Sequence, residues 1–323
     1  MTEMQQDRSA NDPALSGPAG GSKLMAWLQI VRLPNLLTVP GDPLAGFLLA
    51  VAAAGAFSAA PWTKVCVAIV ISLLLYMCGL IDNDLSDLAE DRRERPGRPL
   101  PSGRIKVRAA RAACVMSGGA GLCLSTVNGL PSVAVATALL TAIFVYNHAA
   151  KRSRIVGPFV MGSCRAMSLM IGAAAAGWSG ALSTVVLAAA ALLGLYVAAV
   201  TLIAAGETRA AALGPRRWLP ATVLAAGFGA LSYVACAAGL GRWADALLPG
   251  GLMSVWAGLV GGGLAGSPPP EVVQACVGRW LRGLLLMQFV FVAVAGVHVL
   301  GAGMAFVALW LVNASLAKRF YAT

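Results

Sequence analysis

Apolar segments of membrane-spanning length alternate with short polar loops along most of the chain. The predicted spans cover about 35–57, 63–81, 107–128, 132–148, 155–178, 182–205, 218–240 and 246–265. A hydrocarbon core of about 30 Å takes roughly 20 helical residues to cross. The pattern therefore predicts an all-α fold, a polytopic transmembrane helical bundle.

The last apolar run, from Gly283 to Leu316, has 34 residues and would make about 50 Å of helix. One span does not need that length, so we expect a break near residues 301–303 and nine core helices with a short tenth. Residues 1–24 mix Ser, Gly, Pro and charges without an apolar signal-peptide core, which predicts a disordered cytoplasmic tail. Residues 25–323 then form one transmembrane domain.

Composition and charge placement support a membrane location and an orientation. Hydrophobic residues make up 59% of the chain and charged residues 11%, whereas a soluble domain has about 25% charged residues. The net charge of +11 does not indicate nucleic acid, because the basic residues lie between apolar segments. With the amino terminus inside, the outer loops hold only Lys64 and Arg242. We therefore expect a bacterial inner (plasma) membrane protein whose amino terminus and charged loops are cytoplasmic.

Six of the thirteen acidic residues fall between Asp82 and Glu94, directly after the second apolar segment. On a helix, the side chains of Asn83, Asp84, Asp87 and Asp91 would share about a quarter of the circumference. Clustered carboxylates repel one another unless a cation lies between them, and oxygen-only ligands favour Mg²⁺. The stretch thus predicts a magnesium–diphosphate site; the alternative is a solvated acidic loop paired with the basic loop that follows.

Three further segments carry recognisable motifs: NDLSDLAED followed by RPGRPLPSGRI, then YNHAAKR, and RLPNLLTVP near the start. They resemble the UbiA superfamily of intramembrane prenyltransferases. The first is similar to the family's first aspartate-rich motif with its trailing signature, the second to its Tyr and Lys-Arg stretch after the fourth helix, and the third to the entry to its first helix. The similarity covers residues 25 to about 300. GDPLAG and SCRAMSL further resemble the EboC-type subgroup.

The resemblance implies a nine-helix bundle in which Mg²⁺ holds an isoprenoid diphosphate at the cytoplasmic cap. Loss of diphosphate gives an allylic cation, which an acceptor captures; the catalytic residues would be Asp87, Asp91, Lys151 and Arg152. The implied metal ligands are Asn83, Asp87 and Asp91, with Asp84 auxiliary, and the implied diphosphate-binding residues are Lys151, Arg152, Arg98 and Arg104. For the basic residues, topology signalling alone is the alternative.

The chain departs from the family where a second aspartate-rich motif is expected, after the sixth span. That place reads AAGETRAAALG, with Glu207 as its single carboxylate. Glu207 would hold a second Mg²⁺ only with water and phosphate oxygens. Arg209 would replace part of the metal's charge by bonding phosphate directly.

Two charged residues, Asp42 and Arg165, are predicted at similar depth within the membrane. They either form a structural ion pair or line the pocket of the acceptor. Tyr146 would either present its ring face to the cation there or simply pack in the core. Gln288 is interpreted as a helix-packing polar group.

The best interpretation is transfer of an isoprenoid chain to an unidentified acceptor, aromatic or another polar or lipid molecule. A UbiA-type terpene cyclase without an external acceptor remains open, as does a membrane transporter. A CDP-alcohol phosphotransferase is disfavoured, because the D-G-x-x-A-R start expected of it is absent from the sequence. We expect the bilayer and an isoprenoid diphosphate as partners and infer no obligate protein partner; the acceptor, prenyl length, number of Mg²⁺ ions and oligomeric state stay open.

Overall fold

The computed structural model describes residues 22–57, 61–205, 213–241 and 243–296, together with five residues between 308 and 315. The secondary structure in these ranges is helical throughout, which confirms the all-α prediction. The helices are α1 (Lys23–Ile30), α2 (Leu33–Leu36), α3 (Gly41–Ala53), α4 (Trp62–Ser86), α5 (Leu88–Glu94), α6 (Val107–Ser125), α7 (Leu130–His148), α8 (Val156–Ala175), α9 (Trp178–Ala181), α10 (Thr184–Ala204), α11 (Leu219–Ala237), α12 (Trp243–Gly262) and α13 (Pro270–Val294).

Within the described ranges, nine segments are long and apolar enough to cross a membrane. The first, Leu33–Ala53, joins α2 and α3, and the ninth is α13. The predicted tenth span lies almost wholly outside the described residues. Of its described residues, Asn313 is buried and its side-chain amide donates a hydrogen bond to the Pro34 carbonyl oxygen.

Helix α1 begins at Lys23, within the range 1–24 that the sequence predicted as a tail. Lys23 and Leu24 begin α1, because the Ser22 hydroxyl caps the helix by accepting a hydrogen bond from the Met25 amide at 3.2 Å. Residues 1–21 lie outside the described part of the chain. A capping serine satisfies one of the unpaired amides at a helix start, a local signal that composition does not show.

Helix α8 packs between α3 and α10 with backbones in close contact. A Cβ atom on Gly172 would lie 1.8 Å from the Pro43 carbonyl oxygen of α3. On another face of α8, a Cβ on Gly162 would lie 2.2 Å from the Gly194 carbonyl oxygen of α10. Only residues without a side chain allow such an approach, so these glycines fix the three helices at a short separation.

The charged end of the bundle is where α4 and α7 end and where α6 and α8 begin. Helix α1 packs at this end, where Ala26 and Ile30 share a buried apolar cluster with Ile81 of α4 and Ala110 of α6. Leu100 and Ile105, from the loop after α5, belong to the same apolar cluster. The cluster therefore anchors the charged stretch as a cap over the membrane helices.

Candidate functional site

The acidic stretch spans the junction of α4 and α5. Helix α4 ends at Ser86, and Asp87 follows with φ −92° and ψ 0°. Backbone hydrogen bonds still link the Asp87 amide to Asn83 at 3.0 Å and the Asp91 amide to Asp87 at 2.9 Å. The sequence argument assumed one helix from Asn83 to Asp91. The structure has two helices that meet at Asp87, where the backbone leaves the regular α conformation. Hydrogen bonds four residues apart nevertheless continue through Asp87.

A cavity of about 230 Å³ lies between α4, α7 and α8, and we call it the inner cavity. It follows α4 from Asn83 to Ser72, a rise of about 16 Å at 1.5 Å per residue. Its lining residues are Arg32, Ser72, Tyr76, Gly79, Leu80, Asn83, Leu139, Ile143, Tyr146, Asn147, Met161, Cys164, Arg165 and Ser168. The predicted site residues Asn83, Tyr146 and Arg165 therefore share one cavity.

Asp87 and Lys151 meet one turn beyond Asn83. The Lys151 ammonium contacts the Asp87 carboxylate and donates a hydrogen bond of 2.7 Å to the Ser86 hydroxyl. Both side chains are partly buried, whereas Arg152 is exposed. The structure thus brings one predicted diphosphate-binding residue to one predicted metal ligand, one helical turn beyond Asn83, although neither residue itself lines the inner cavity.

Asp91 and Asp84 face a different set of cations. Both Asp91 carboxylate oxygens accept hydrogen bonds from Arg98 Nη1, at 3.0 and 2.8 Å. Asp84 Oδ1 lies 3.6 Å from Arg32 Nη2, which is an ion pair without a hydrogen bond. Three of the four predicted ligands thus have a basic partner of their own.

The oxygen donors suit Mg²⁺, but they do not form a closed cage by themselves. Among the described residues, no three carboxylate, imidazole or thiol side chains converge on one point. Glu207 and Arg209 lie outside the described residues. Mg²⁺ commonly binds through one or two carboxylates and completes its shell with water and substrate phosphate, so Asn83 and Asp87, one helical turn apart, fit such a site.

Asp82 has a structural role that the sequence did not indicate. It is buried, and its Oδ2 atom accepts a 2.7 Å hydrogen bond from the Asn147 side-chain amide. The same amide donates to the Gly79 carbonyl oxygen at 3.1 Å, and His148 Nε2 lies 3.2 Å from the Asp82 carboxylate. These bonds fix the end of α7 on α4. Tyr146 directly precedes the bonded residues Asn147 and His148 in the sequence, and Lys151 follows them, so the bonds help to position both side chains.

The predicted pairing of Asp42 with Arg165 is present. Arg165 Nε lies 3.0 Å from Asp42 Oδ2, although no hydrogen bond is aligned between the two atoms. Arg165 Nη2 donates to the Thr38 carbonyl oxygen at 3.1 Å, and Gln288 Nε2 donates to Asp42 Oδ1 at 2.6 Å. Asp42 is fully buried behind Arg165, and only Arg165 lines the inner cavity. Gln288, interpreted as a packing group, supports the ion pair from α13.

A second pocket, of about 520 Å³, lies beside the acidic stretch under α1, and we call it the cap pocket. Its lining residues are Leu28, Gln29, Arg32, Pro34, Asp84, Arg95, Gly97, Arg98, Pro99 and Arg104. Arg98 and Arg104, which the resemblance assigned to the diphosphate, line this pocket and not the inner cavity. Helical spacing on α4 therefore divides the predicted metal ligands: Asn83 lines the inner cavity and Asp84 lines the cap pocket.

Arg32 lines both pockets and was not singled out from sequence. Its φ of 47° lies in the left-handed region, which no other non-glycine residue of the described ranges adopts. Such a conformation is unfavourable for residues with a Cβ atom and is found where surrounding structure imposes it. The start of the first span thus places one guanidinium group between the two pockets.

Solved structures share this fold. The chain aligns with a structure from a study of digeranylgeranylglyceryl phosphate synthase in membranes, with a TM-score of 0.64, 18% identity and coverage of 85% of this chain and 99% of that one. It also aligns with a UbiA homologue from Archaeoglobus fulgidus bound to GPP and Mg²⁺, with a TM-score of 0.52, 12% identity and coverage of 84% and 98%. At these identities the likeness establishes the fold.

Curated relatives match part of the chain. Digeranylgeranylglyceryl phosphate synthase of Sulfurisphaera tokodaii is 28% identical over 147 residues, which is 44% of this chain and 50% of that protein. The Metallosphaera sedula protein of the same name is 29% identical over 143 residues, with 44% and 49% coverage. The chain therefore spans about half the length of the curated relatives it matches.

The family match covers the part of the chain that builds the site. Residues 44–211 match the model of the UbiA prenyltransferase family, and this range includes the acidic stretch, Lys151 and Arg165. The family expected from the aspartate-rich motif is thereby confirmed, whereas the EboC-type subgroup stays a prediction. The matched range is more than half of the 323 residues, and the chain belongs to the UbiA prenyltransferase family.

Proposed function

We propose that the protein transfers an isoprenoid chain from an allylic diphosphate to an acceptor within the membrane, with Mg²⁺ as cofactor. The observation that carries the proposal is the contact between Asp87 and Lys151, one helical turn beyond Asn83, which lines the inner cavity. It supports the proposal because a carboxylate suits Mg²⁺ and an ammonium group suits phosphate oxygens, and the cavity beside Asn83 would take an apolar chain.

Asn83, Asp87 and Asp91 would hold Mg²⁺, with Asp84 as an auxiliary ligand and Glu207 as a ligand to a second ion. When bound, Mg²⁺ supplies positive charge that stabilises the departing diphosphate. Lys151 would exchange its contact with Asp87 for one with a phosphate oxygen. Arg152 and Arg209 would add further charge-assisted hydrogen bonds to the leaving group.

The inner cavity suits the prenyl chain and the cation formed from it. Leu139, Ile143 and Met161 give it apolar walls, which would limit hydrolysis of an allylic cation by water. Tyr146 lines the same space near the charged end, where its ring face would stabilise positive charge.

The acceptor would bind against Arg165, deeper in the inner cavity. Asp42, Thr38 and Gln288 hold the Arg165 guanidinium in place from behind. An ionisable side chain within a membrane is usually functional and commonly faces a cavity. A guanidinium offers only donors, so the acceptor's head group would carry an oxygen atom, as a phenol, quinone or alcohol does.

The basic residues at the charged end of the bundle support a cytoplasmic location for the active site. Arg92, Arg93, Arg95 and Arg108 are exposed around the cap, and loops rich in Lys and Arg usually remain on the cytoplasmic side. The site would then draw its diphosphate substrate from the cytoplasm and its acceptor from the bilayer.

The test supplies purified full-length protein with Mg²⁺, allylic diphosphates of several chain lengths and a membrane-lipid extract as acceptor source. Mass spectrometry should find lipids enlarged by the mass of one prenyl chain, and EDTA should abolish them. A cyclic terpene formed without the extract would instead assign a cyclase. Absence of diphosphate release with every chain length would contradict both enzymes and favour a transporter.

A further inference from the structure

The inner cavity ends in a polar floor, about 16 Å along α4 from Asn83. Ser72 of α4 and Ser168 of α8 line this end, and their hydroxyl oxygens lie 2.6 Å apart in a buried hydrogen bond. Arg165 lines the same end, one helical turn from Ser168. We call these three side chains the floor of the inner cavity. A ligand that reaches the floor meets two hydroxyl groups and one guanidinium group.

The floor has hydrogen-bond donors that remain available to a ligand. Arg165 directs Nε toward Asp42 and donates from Nη2 to the Thr38 carbonyl oxygen at 3.1 Å, so its Nη1 group makes neither contact. The hydroxyl groups of Ser72 and Ser168 can each donate one hydrogen bond and accept others. A hydrocarbon tail against the floor would leave these groups without partners, which is unfavourable in a dehydrated cavity. The floor therefore suits a polar group of the acceptor better than the end of a prenyl chain.

Asp42 balances the charge of the floor. Its carboxylate lies 3.0 Å from Arg165 Nε, is fully buried and does not itself line the cavity. Among the described residues that line the cavity, the other charged side chain is Arg32, which pairs with Asp84 at the charged end of the bundle. The floor is thus polar but carries no net charge.

Packing fixes the position of the Asp42 carboxylate. Gln288 of α13 donates hydrogen bonds to Asp42 Oδ1 at 2.6 Å and to the Thr38 carbonyl oxygen at 2.7 Å. Gly41 leaves the space for this amide, because a Cβ atom there would lie 2.0 Å from Gln288 Oε1. The negative charge is therefore held beside Arg165 when a ligand binds, and it acts on every ligand that reaches the floor.

We propose that Asp42 determines which acceptor the protein takes: the floor binds a neutral oxygen group, such as a phenol hydroxyl, a quinone carbonyl or an alcohol, and rejects a carboxylate or a phosphate. The inference rests on the proposed function, since it concerns the acceptor of that same reaction.

The selectivity follows from the balance between dehydration and attraction. An anion loses its hydration when it enters the cavity, at a large cost. A lone guanidinium group would offset this cost through charge-assisted hydrogen bonds, but Asp42 repels the same anion and so cancels much of the attraction. A neutral oxygen atom is less costly to dehydrate and still accepts a hydrogen bond from Arg165 or Ser72.

The test measures binding without turnover, with two ligands of similar shape. Full-length protein in uncharged detergent is titrated calorimetrically with 4-butylphenol and with 4-butylbenzoate, which are neutral and anionic, respectively, near neutral pH. Saturating Mg²⁺ and inorganic diphosphate are present throughout, so that the charged end of the cavity is occupied and does not take the carboxylate. The variants are Asp42→Asn, the double substitution Ser72→Ala with Ser168→Ala, and the control Ser163→Ala. Ser163 is exposed on α8 and bonds only within its own helix, to the Phe159 carbonyl oxygen at 2.9 Å.

The parent protein should bind the phenol at least about tenfold more tightly than the benzoate. Asp42→Asn keeps the shape of the side chain but leaves Arg165 unbalanced, so the benzoate affinity should rise at least about tenfold while the phenol affinity stays within about twofold. Loss of both floor hydroxyls should weaken phenol binding about two- to tenfold, and Ser163→Ala should bind like the parent protein. If Asp42→Asn does not fold, the two ligands on the parent protein and the serine variants decide the outcome.

The proposal is overturned if the parent protein binds both ligands equally or binds neither. It is also overturned if Asp42→Asn leaves the benzoate affinity unchanged, or if the serine double variant binds the phenol as tightly as Ser163→Ala does. A separate titration with Mg²⁺ and diphosphate checks the donor site. Failure there contradicts the proposed function and this inference with it, whereas normal diphosphate binding without ligand preference removes the inference alone.

Discussion

The Asn147 side-chain amide donates a 2.7 Å hydrogen bond to the buried Asp82 carboxylate and thereby fixes the end of α7 on α4. Asp82→Ala should leave Asn147 partly unsatisfied, at a cost of about 1–3 kcal/mol, and shift Lys151 relative to Asp87. We expect a lower unfolding temperature in detergent and a reduced kcat. Asp82→Asn keeps an acceptor oxygen, so it should recover most of the stability; equal loss in both variants would contradict a positioning role.

Asp87→Ala should abolish diphosphate release while the fold persists, because Asp87 is partly exposed and lies between two helices. Loss of one preorganised group at a developing charge typically lowers kcat about 10²–10³-fold, and loss of a metal ligand should reach at least that. The matched control is Glu90→Gln, an exposed acidic residue on α5. Turnover in Asp87→Ala equal to that control would remove Asp87 from the site.

The Asp42–Arg165 pair should show strong coupling. Removal of one partner of a buried ion pair typically costs about 3–5 kcal/mol, because the other charge stays uncompensated. Asp42→Leu and Arg165→Met should each destabilise the protein, and the double variant should be more stable than either single variant. Thermal unfolding of all four proteins measures the coupling, and additive losses would show that the charges do not interact.

Gly172→Ala should destabilise the contact of α8 with α3, since the added Cβ atom would meet the Pro43 carbonyl oxygen. Overpacking of this kind costs about 1–3 kcal/mol. Gly119→Ala on α6 is the control, because a Cβ there has no atom within 4 Å and alanine favours helix. We expect a lower unfolding temperature for the first variant and an unchanged or higher one for the second; equal behaviour would contradict close packing.

The fold could be predicted because the bilayer fixes the length of apolar segments. The ends of α4 and α12 lie within about five residues of the limits predicted from the sequence. Helix α1 was missed because its apolar side packs on Ile81 and Ala110, which are distant in sequence. Packing between distant segments leaves little periodic signal in so short a helix.

The acidic stretch could be located from helical spacing, since the residues that share a face lie close together in sequence. Its partners could not, because the contacts of Asp91 with Arg98 and of Asp82 with Asn147 depend on loop conformation and on the register of α4 against α7. Arg32 was also missed, because its position between two pockets depends on its own left-handed backbone conformation. Glu207 and Arg209 stay predictions, as they lie outside the described residues.

The ion pairs of Asp87 and Asp91 should make the binding of Mg²⁺ depend on the binding of diphosphate. Because Lys151 and Arg98 already neutralise these carboxylates, a lone Mg²⁺ ion would add uncompensated charge and displace a cation. The diphosphate anion removes this penalty, since it gives the released ammonium group a new partner. Metal and diphosphate should therefore enter cooperatively, and calorimetric titration with Mg²⁺ alone should show much weaker binding than titration in the presence of diphosphate.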